Sequence, residues 1–340
     1  MLPRVGAVVI VFLAGAQFYR PAFGQAAPAT ILTIDYENQV RYVYDVSDPL
    51  KFATDPSVTT ATLPTNFYHQ VYVADIVAVN GQPAKGTQFL REQVLRVTRN
   101  PVPGAAIGDI QGGAQSAFLT WEILNPDGTQ IGTLVGEGFS GSTTPPAPGA
   151  PLAAMSSNIA IVGGTGAFLG ARGVSGQGVS SAPPRVASIT EDPANRRKTT
   201  GGKAQSVIYV IPMERPEIVT SPSGPAVFHS DLTPVTTAKP AKAGEALITM
   251  ATGLGPTRPG VDPGQPFPTY PANPLQLVTS PVEVKVNGQS AESFNVVGWP
   301  GLVNTYRVDF RVPSGVVSGT IGVQLSAAWI AGSTVQVPVQ

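Results

Sequence analysis

The run Ile161–Gly178 (Ile-Val-Gly-Gly-Thr-Gly-Ala-Phe-Leu-Gly-Ala-Arg-Gly-Val-Ser-Gly-Gln-Gly) constrains the fold of this chain more than any other stretch. Each glycine permits a positive φ or removes a Cβ where backbones approach closely. A hydrophobic strand ends near Val162, Gly163–Gly166 makes a turn, and a second extended run follows. A nucleotide- or phosphate-binding loop would have to open a helix whose N-terminal N–H groups hold the anion. Here Gly170, Gly173, Gly176 and Gly178 follow, each costing a helix about 1 kcal/mol. No Gly-Lys-Ser/Thr is present either. The stretch reads as β-structure.

The rest of the chain agrees. Its 340 residues suffice for about two domains with real cores. Charged residues are only 12% against 42% hydrophobic, the opposite of a disordered balance. Abundant Gly and Pro between short Val/Ile/Thr/Tyr runs indicate an all-β chain. Net charge is zero, so no long-range attraction to nucleic acid or an anionic membrane is expected. The chain has no cysteine, which removes thiol nucleophiles, thiolate metal sites and disulfides together.

Met1–Arg4 is a basic start, Val5–Ala16 is almost wholly apolar, and small residues follow at Ala22, Gly24, Ala26 and Ala27. This is the pattern of a secretory signal peptide over residues 1–26. The apolar run falls short of the roughly twenty residues that span a bilayer. A secreted or cell-surface protein, with no membrane span once the signal is removed, is the expectation.

Between Ile31 and Ile211 eight extended runs are expected: Ile31–Val46, Phe67–Val79, Gln88–Thr98, Gln115–Leu124, Ile131–Phe139, Ser156–Val162, Phe168–Gln177 and Ala204–Ile211. In the first, Val40, Tyr42, Tyr44 and Val46 share one face and Arg41, Val43 and Asp45 the other. Asn125-Pro126-Asp127-Gly128 is a hairpin signal. The segment carrying Arg185, Arg196, Arg197 and Lys198, with Glu191 and Asp192 among them, reads as a solvated loop. Eight short strands joined mainly by turns fit an up-and-down barrel, whose interior holds packed side chains or one small ligand.

Residues Gly163–Gly173 also resemble the GGTGxFxxARG signature of the dirigent and allene oxide cyclase family of β-barrels. Ile107–Leu119 is loosely similar to the strand preceding that family's core, and Ser206–Ile211 sits where its last strand sits. The resemblance implies an eight-stranded barrel, an export route, no metal or cofactor, and a homo-oligomer formed through the barrel. Ala167 departs from the pattern, since dirigent proteins often carry a charged or polar residue there.

Pro212–Gly224 is a proline-punctuated junction, which sets the expected domains at 27–215 and 216–340. Beyond it, runs at Ala246–Gly253, Val282–Val286, Ser293–Val297, Asn304–Val312, Gly319–Ala328 and Thr334–Val339 predict a β-sandwich. Asn287-Gly288 is expected to turn the second of these into the third. Pro240–Glu245, Thr252–Thr257, Tyr306–Pro313 and Trp329–Gly332 resemble the immunoglobulin-like C-terminal module of exported soil-bacterial proteins.

Chemistry-bearing residues are few. His69 and His229 fall in different halves, which leaves no multi-histidine metal site or triad in one pocket. A barrel that cyclises or orients a substrate needs an apolar cavity with a few polar groups. Catalytic candidates are Arg172, Glu137 and Glu122; ligand-binding candidates are Tyr42, Tyr44 and Tyr209. An inward Arg172 would need a carboxylate partner, Glu137 or Glu122, because a buried unpaired charge costs several kcal/mol. The other reading has Arg172 facing solvent or locking the fold. Three functions stand: a non-catalytic binder of a hydrophobic small molecule or an envelope or glycan partner, with the sandwich as attachment or spacer; a cofactor-free cyclase or stereochemical guide; and a structural exoprotein.

Overall fold

The computed structural model describes residues 30–45, 67–96, 113–140, 157–178, 180–199, 201–262, 264–271 and 273–340. The expected signal segment and the loop 141–156 lie outside them. Among the described residues no helix is long and apolar enough to cross a membrane.

Eight strands close a barrel: β1 (Thr30–Asp45), β2 (Phe67–Val79), β3 (Lys85–Arg96), β4 (Gly113–Leu124), β5 (Gln130–Ser140), β6 (Ser157–Gly166), β7 (Arg172–Gln177) and β8 (Gly202–Ile211). Each pairs antiparallel with its sequence neighbours, and β8 returns to β1. Leu32, Ile34, Ile76, Trp121, Ile123, Leu134, Ile161 and Ile208 point inward and are fully or almost fully buried. Alternation along β4 shows why: Trp121 and Ile123 are buried while Glu122 between them is exposed. Trp121 lies opposite Leu134 on β5 and leans toward Gly136, where a Cβ would stand 3.2 Å from the indole ring and 2.8 Å from Ile159.

The glycine run forms the β6–β7 connection, and its purpose is to seat Phe168. That ring is fully buried at one end of the barrel. A Cβ at Gly132 would lie 3.0 Å from it and collide with Thr165 O, and one at Gly164 would collide with Phe168 O. The second extended run therefore starts at Arg172, since Phe168–Ala171 belong to the turn.

Strand β1 does not keep one alternation along its length. Asn38 takes a positive φ of 55°, and the register with both neighbours shifts between Tyr36 and Val40. A bulge of this kind exchanges the two faces of the strand. Past it, β8 gives way to a short parallel strand, Arg185–Ser188, paired with Val40–Val43. The expected solvated loop is thus partly a strand, fixed by a bidentate Arg185–Glu191 pair at 2.6 and 2.8 Å. Arg196 and Arg197 bind Asp75 at 2.6 to 2.9 Å. Burial pushes the Asp75 carboxyl up, but hydrogen bonds from Arg197, Asn38 and Arg196 outweigh it and hold the group at about 2.

Beside a two-stranded ribbon, Thr220–Ser221 with Gly224–Pro225, the strands that follow the barrel form two facing sheets. In the first, β9 (Ala246–Thr252) pairs with β12 (Thr305–Arg311), and β12 with β11 (Ser293–Gly298). In the second, β10 (Val282–Val286) pairs with β13 (Gly319–Ala327), and β13 with β14 (Ile330–Val339). Leu247, Val308 and Phe310 of one sheet meet Val284, Val323 and Leu325 of the other in a single core. Asn287-Gly288 makes its turn at φ 50° and 80°, but into the short strand Gln289–Ala291. Ser293–Gly298 crosses to the other sheet, which corrects the expected pairing.

The β13–β14 turn joins the two parts of the molecule. Ala328 and Trp329 both take positive φ (47° and 65°), so the turn reverses the chain without a glycine. Ala328 and Ile330 are buried in the barrel core, and Trp329 packs against it. Trp329 Nε1 donates to Gln82 Oε1 at 3.0 Å. Nearby, Asn125 donates to Thr279 O at 2.7 Å and Thr279 Oγ1 donates to Gln130 O at 2.8 Å. The sandwich therefore closes the barrel end that carries the short turns.

Candidate functional site

The six candidates from the sequence do not meet inside the barrel. Arg172, Glu122 and Glu137 are exposed on its outer face. Arg172 donates to Val162 O and, at 3.0 Å, to Ala171 O, so it staples the glycine turn from outside. Among the described residues it has no ion pair with either glutamate; alternation past the buried Ala171 turns it outward. Tyr209 is 39% exposed on the outer face, opposite Ile31. Tyr42 is buried, yet outside the barrel: it packs with Val40, Val73 and Ala187, because the Asn38 bulge has exchanged the faces. Burial, and then the Glu191 charge, push its pKa up. Tyr44 pairs with His69 in the backbone ladder, and its side chain lies outside the described set.

A different polar group occupies the interior, toward the end away from the sandwich. On β2, Gln70 and Tyr72 share the inward face of Ala74 and Ile76; on β3, Gln88, Leu90, Glu92 and Val94 face in. Gln70 lies directly opposite Glu92, and Arg41 opposite Tyr72. Gln70, Gln88 and Glu92 are each at most 4% exposed. The Gln70 amide nitrogen donates to the Glu92 carboxylate and to Tyr72 Oη at 3.2 Å. The Arg41 guanidinium lies 6.0 Å from the centre of the Tyr72 ring, within cation–π reach. Gln70 Oε1, Gln88 Oε1 and Arg41 Nε have no hydrogen-bond partner among the described residues.

The wall beside Glu92 is built from small residues. Ala117 is its partner on β4, and Gly138 follows on β5. Below lies a closed layer in which Trp121 Nε1 donates to Tyr36 Oη at 3.0 Å. Burial pushes the Tyr36 hydroxyl well above its usual range, against hydrogen bonds involving Ser206 and Trp121, so it stays protonated. The barrel thus offers an apolar floor, a carboxylate, a guanidinium, a phenol and two amide carbonyls. That set can orient a small molecule and exchange hydrogen bonds with it.

The sequence reading missed Arg41, Gln70, Tyr72, Gln88 and Glu92. The available signal was polar residues in phase with Ala74, Ile76, Leu90 and Val94, on a face otherwise apolar. His229 is accounted for elsewhere: Nδ1 meets Glu245 at 2.6 Å and Nε2 meets Lys239 O at 3.2 Å, in the sandwich. Among the described residues no cluster of His, Cys, Asp or Glu is arranged to hold a metal. In comparisons with known proteins, no family model matches the chain and no curated protein matches it significantly.

Proposed function

We propose that this is an exported, non-catalytic protein whose barrel binds a hydrophobic small molecule, with the immunoglobulin-like sandwich serving as attachment module as well as end-cap. The observation that carries this reading is the inward-facing cluster Arg41–Gln70–Tyr72–Gln88–Glu92, in which Gln70, Gln88 and Glu92 are buried and, among the described residues, Arg41, Gln70 and Gln88 each keep an unpartnered polar atom. Burying such groups costs about 1–3 kcal/mol each, and stability alone would favour apolar residues there. Binding gives a reason for them. The dirigent-like glycine signature supports the same architecture, and the amino-terminal pattern supports secretion.

A cofactor-free cyclase or stereochemical guide is the second reading, favoured by the buried Glu92 carboxylate with Tyr72 within the same cluster. The outer face adds a proposed partner. Ile31, Val162, Tyr209 and Ile211 are exposed there, flanked by Arg172 and Glu137, which suits a second copy of the chain.

The test is a titration of the full chain with N-phenyl-1-naphthylamine, an apolar dye that brightens on leaving water. Saturable binding is expected, weakened at least tenfold by Ala117→Leu, which adds bulk directly opposite Glu92, and unchanged by Arg172→Ala. Absence of saturable binding, or binding indifferent to Ala117→Leu, contradicts the proposal.

A further inference from the structure

We infer that the cleft where the sandwich meets the β4–β5 turn is a second binding site, for a small zwitterion whose ammonium meets Asp127 and whose carboxylate meets Arg258. The site goes beyond the small-molecule reading above and shares no residue with the barrel interior. The cleft holds about 360 Å³ and opens to solvent, with residues 127–130 on one side and residues 256–258 with Thr279 on the other. A space of that size suits a small molecule.

Both walls are fixed before any ligand arrives. On the barrel side, Asn125 donates to Thr129 Oγ1 at 2.7 Å, and Thr129 donates from its N–H and its hydroxyl to Asp127 Oδ1 at 2.9 and 2.7 Å. These two bonds, more than the Arg258 charge, hold the Asp127 carboxyl below its usual range. Asp127 is therefore ionised at neutral pH, and its Oδ2 has no partner among the described residues. On the sandwich side, Thr257–Arg258 pairs with Leu277–Val278. The buried Gln276 ties that strand down, its Oε1 accepting from Thr257 Oγ1 at 3.3 Å and from Gly260 N at 2.7 Å. Thr279 sets the gap between the walls. Its hydroxyl donates to Gln130 O at 2.8 Å across the junction, while its N–H donates to Pro256 O at 2.9 Å. Pre-formed walls spare a ligand the cost of ordering them.

The two charges stand apart. Asp127 and Arg258 are near enough to act on one another electrostatically, yet they form no ion pair. Among the described residues the Arg258 guanidinium makes no hydrogen bond either, so its donors are open. Opposite charges on the two walls of one cleft decide the ligand class. An anion that reached Arg258 would also meet the Asp127 carboxylate, and a cation at Asp127 would meet the guanidinium. A molecule carrying both signs satisfies both, and its carboxylate can take two parallel bonds from the guanidinium. An ω-amino acid, with its charges at the two ends of a short chain, fits walls whose side chains do not reach one another.

The experiment is calorimetric titration of the full chain at low ionic strength with 4-aminobutyrate and 6-aminohexanoate. Butyrate, hexanoate, butylamine and hexylamine serve as single-charge controls. One of the two amino acids should bind saturably and at least about tenfold more tightly than its own acid and amine. Arg258→Gln and Asp127→Asn should each remove that advantage. Both residues are exposed, and Asn keeps an oxygen for Thr129, so both variants should melt with the parent protein. Ala117→Leu, inside the barrel, should leave the titration unchanged. Absence of saturable binding, equal binding of amino acid and single-charge controls, or an advantage that survives either substitution overturns the inference. Loss of binding in Ala117→Leu would place the ligand in the barrel and overturn it too. The naphthylamine titration reads the barrel alone, so either reading can fail without the other.

Discussion

Cut after residue 215, the chain is expected to lose the stable barrel. The barrel core is not complete within 27–215, because Ala328 and Ile330 fill its short-turn end and Trp329 covers it. Restoring water to one isoleucine, one alanine and the surfaces they meet costs roughly 4–6 kcal/mol at the usual rate for apolar area. That is a large part of the 5–15 kcal/mol that holds a typical domain. The hydrogen bonds from Trp329 to Gln82 and between Thr279 and the β4–β5 turn would go with it. Thermal unfolding followed by near-ultraviolet circular dichroism should show one cooperative transition for the full chain. The 27–215 segment should melt at least 10 °C lower or show no transition. Equal melting temperatures would mean that the turn merely rests on a barrel already complete.

Phe168→Ala should be the most damaging single substitution in the glycine run. The ring is fully buried, and Gly132 and Gly164 are shaped around it, so its removal leaves a cavity that backbone cannot easily fill. Large-to-small changes of this kind cost about 3–5 kcal/mol. The neighbouring Leu169 is 55% exposed, and Leu169→Ala should change stability by less than about 0.5 kcal/mol. Urea unfolding of the two variants separates them directly. Similar losses in both would show that the run is sensitive as a loop and not as a seat for one ring.

The barrel was legible because its determinants are local. Alternation in Thr120–Ile123, the Asn125–Gly128 turn and the glycine run each report on a few neighbouring residues. The interior was harder to read for three physical reasons. The bulge at Asn38 reverses which residues of β1 face inward, and no alternation rule survives an inserted residue. Arg41 consequently faces in and Tyr42 out. Strand β8 is apolar on both faces (Ser206–Ile211), so period two could not assign Tyr209. Gln70, Gln88 and Glu92 sit on strands that carry polar residues such as Asp75, Thr87 and Gln93 on the opposite face too, so their phase with Ala74, Ile76, Leu90 and Val94 is a weak signal.

Long-range packing accounts for the rest. Ala328-Trp329 carries none of the Asn or Gly that normally marks a two-residue hairpin turn. Positive φ at such residues is sterically unfavourable, and burial in the barrel core offsets it. The sequence reading accordingly placed the next strand at Thr334, where it begins at Ile330. The same contact explains Ala167. A Cβ at Gly255 would lie 3.1 Å from it, so the Ala167 methyl stands directly against the sandwich backbone.

The most direct measurement is a crystal structure of the full chain grown with N-phenyl-1-naphthylamine. Density for the dye inside the barrel, against Glu92 and Ala117, is the expected result. An interior filled by side chains, with the dye absent, would contradict a ligand site in this barrel.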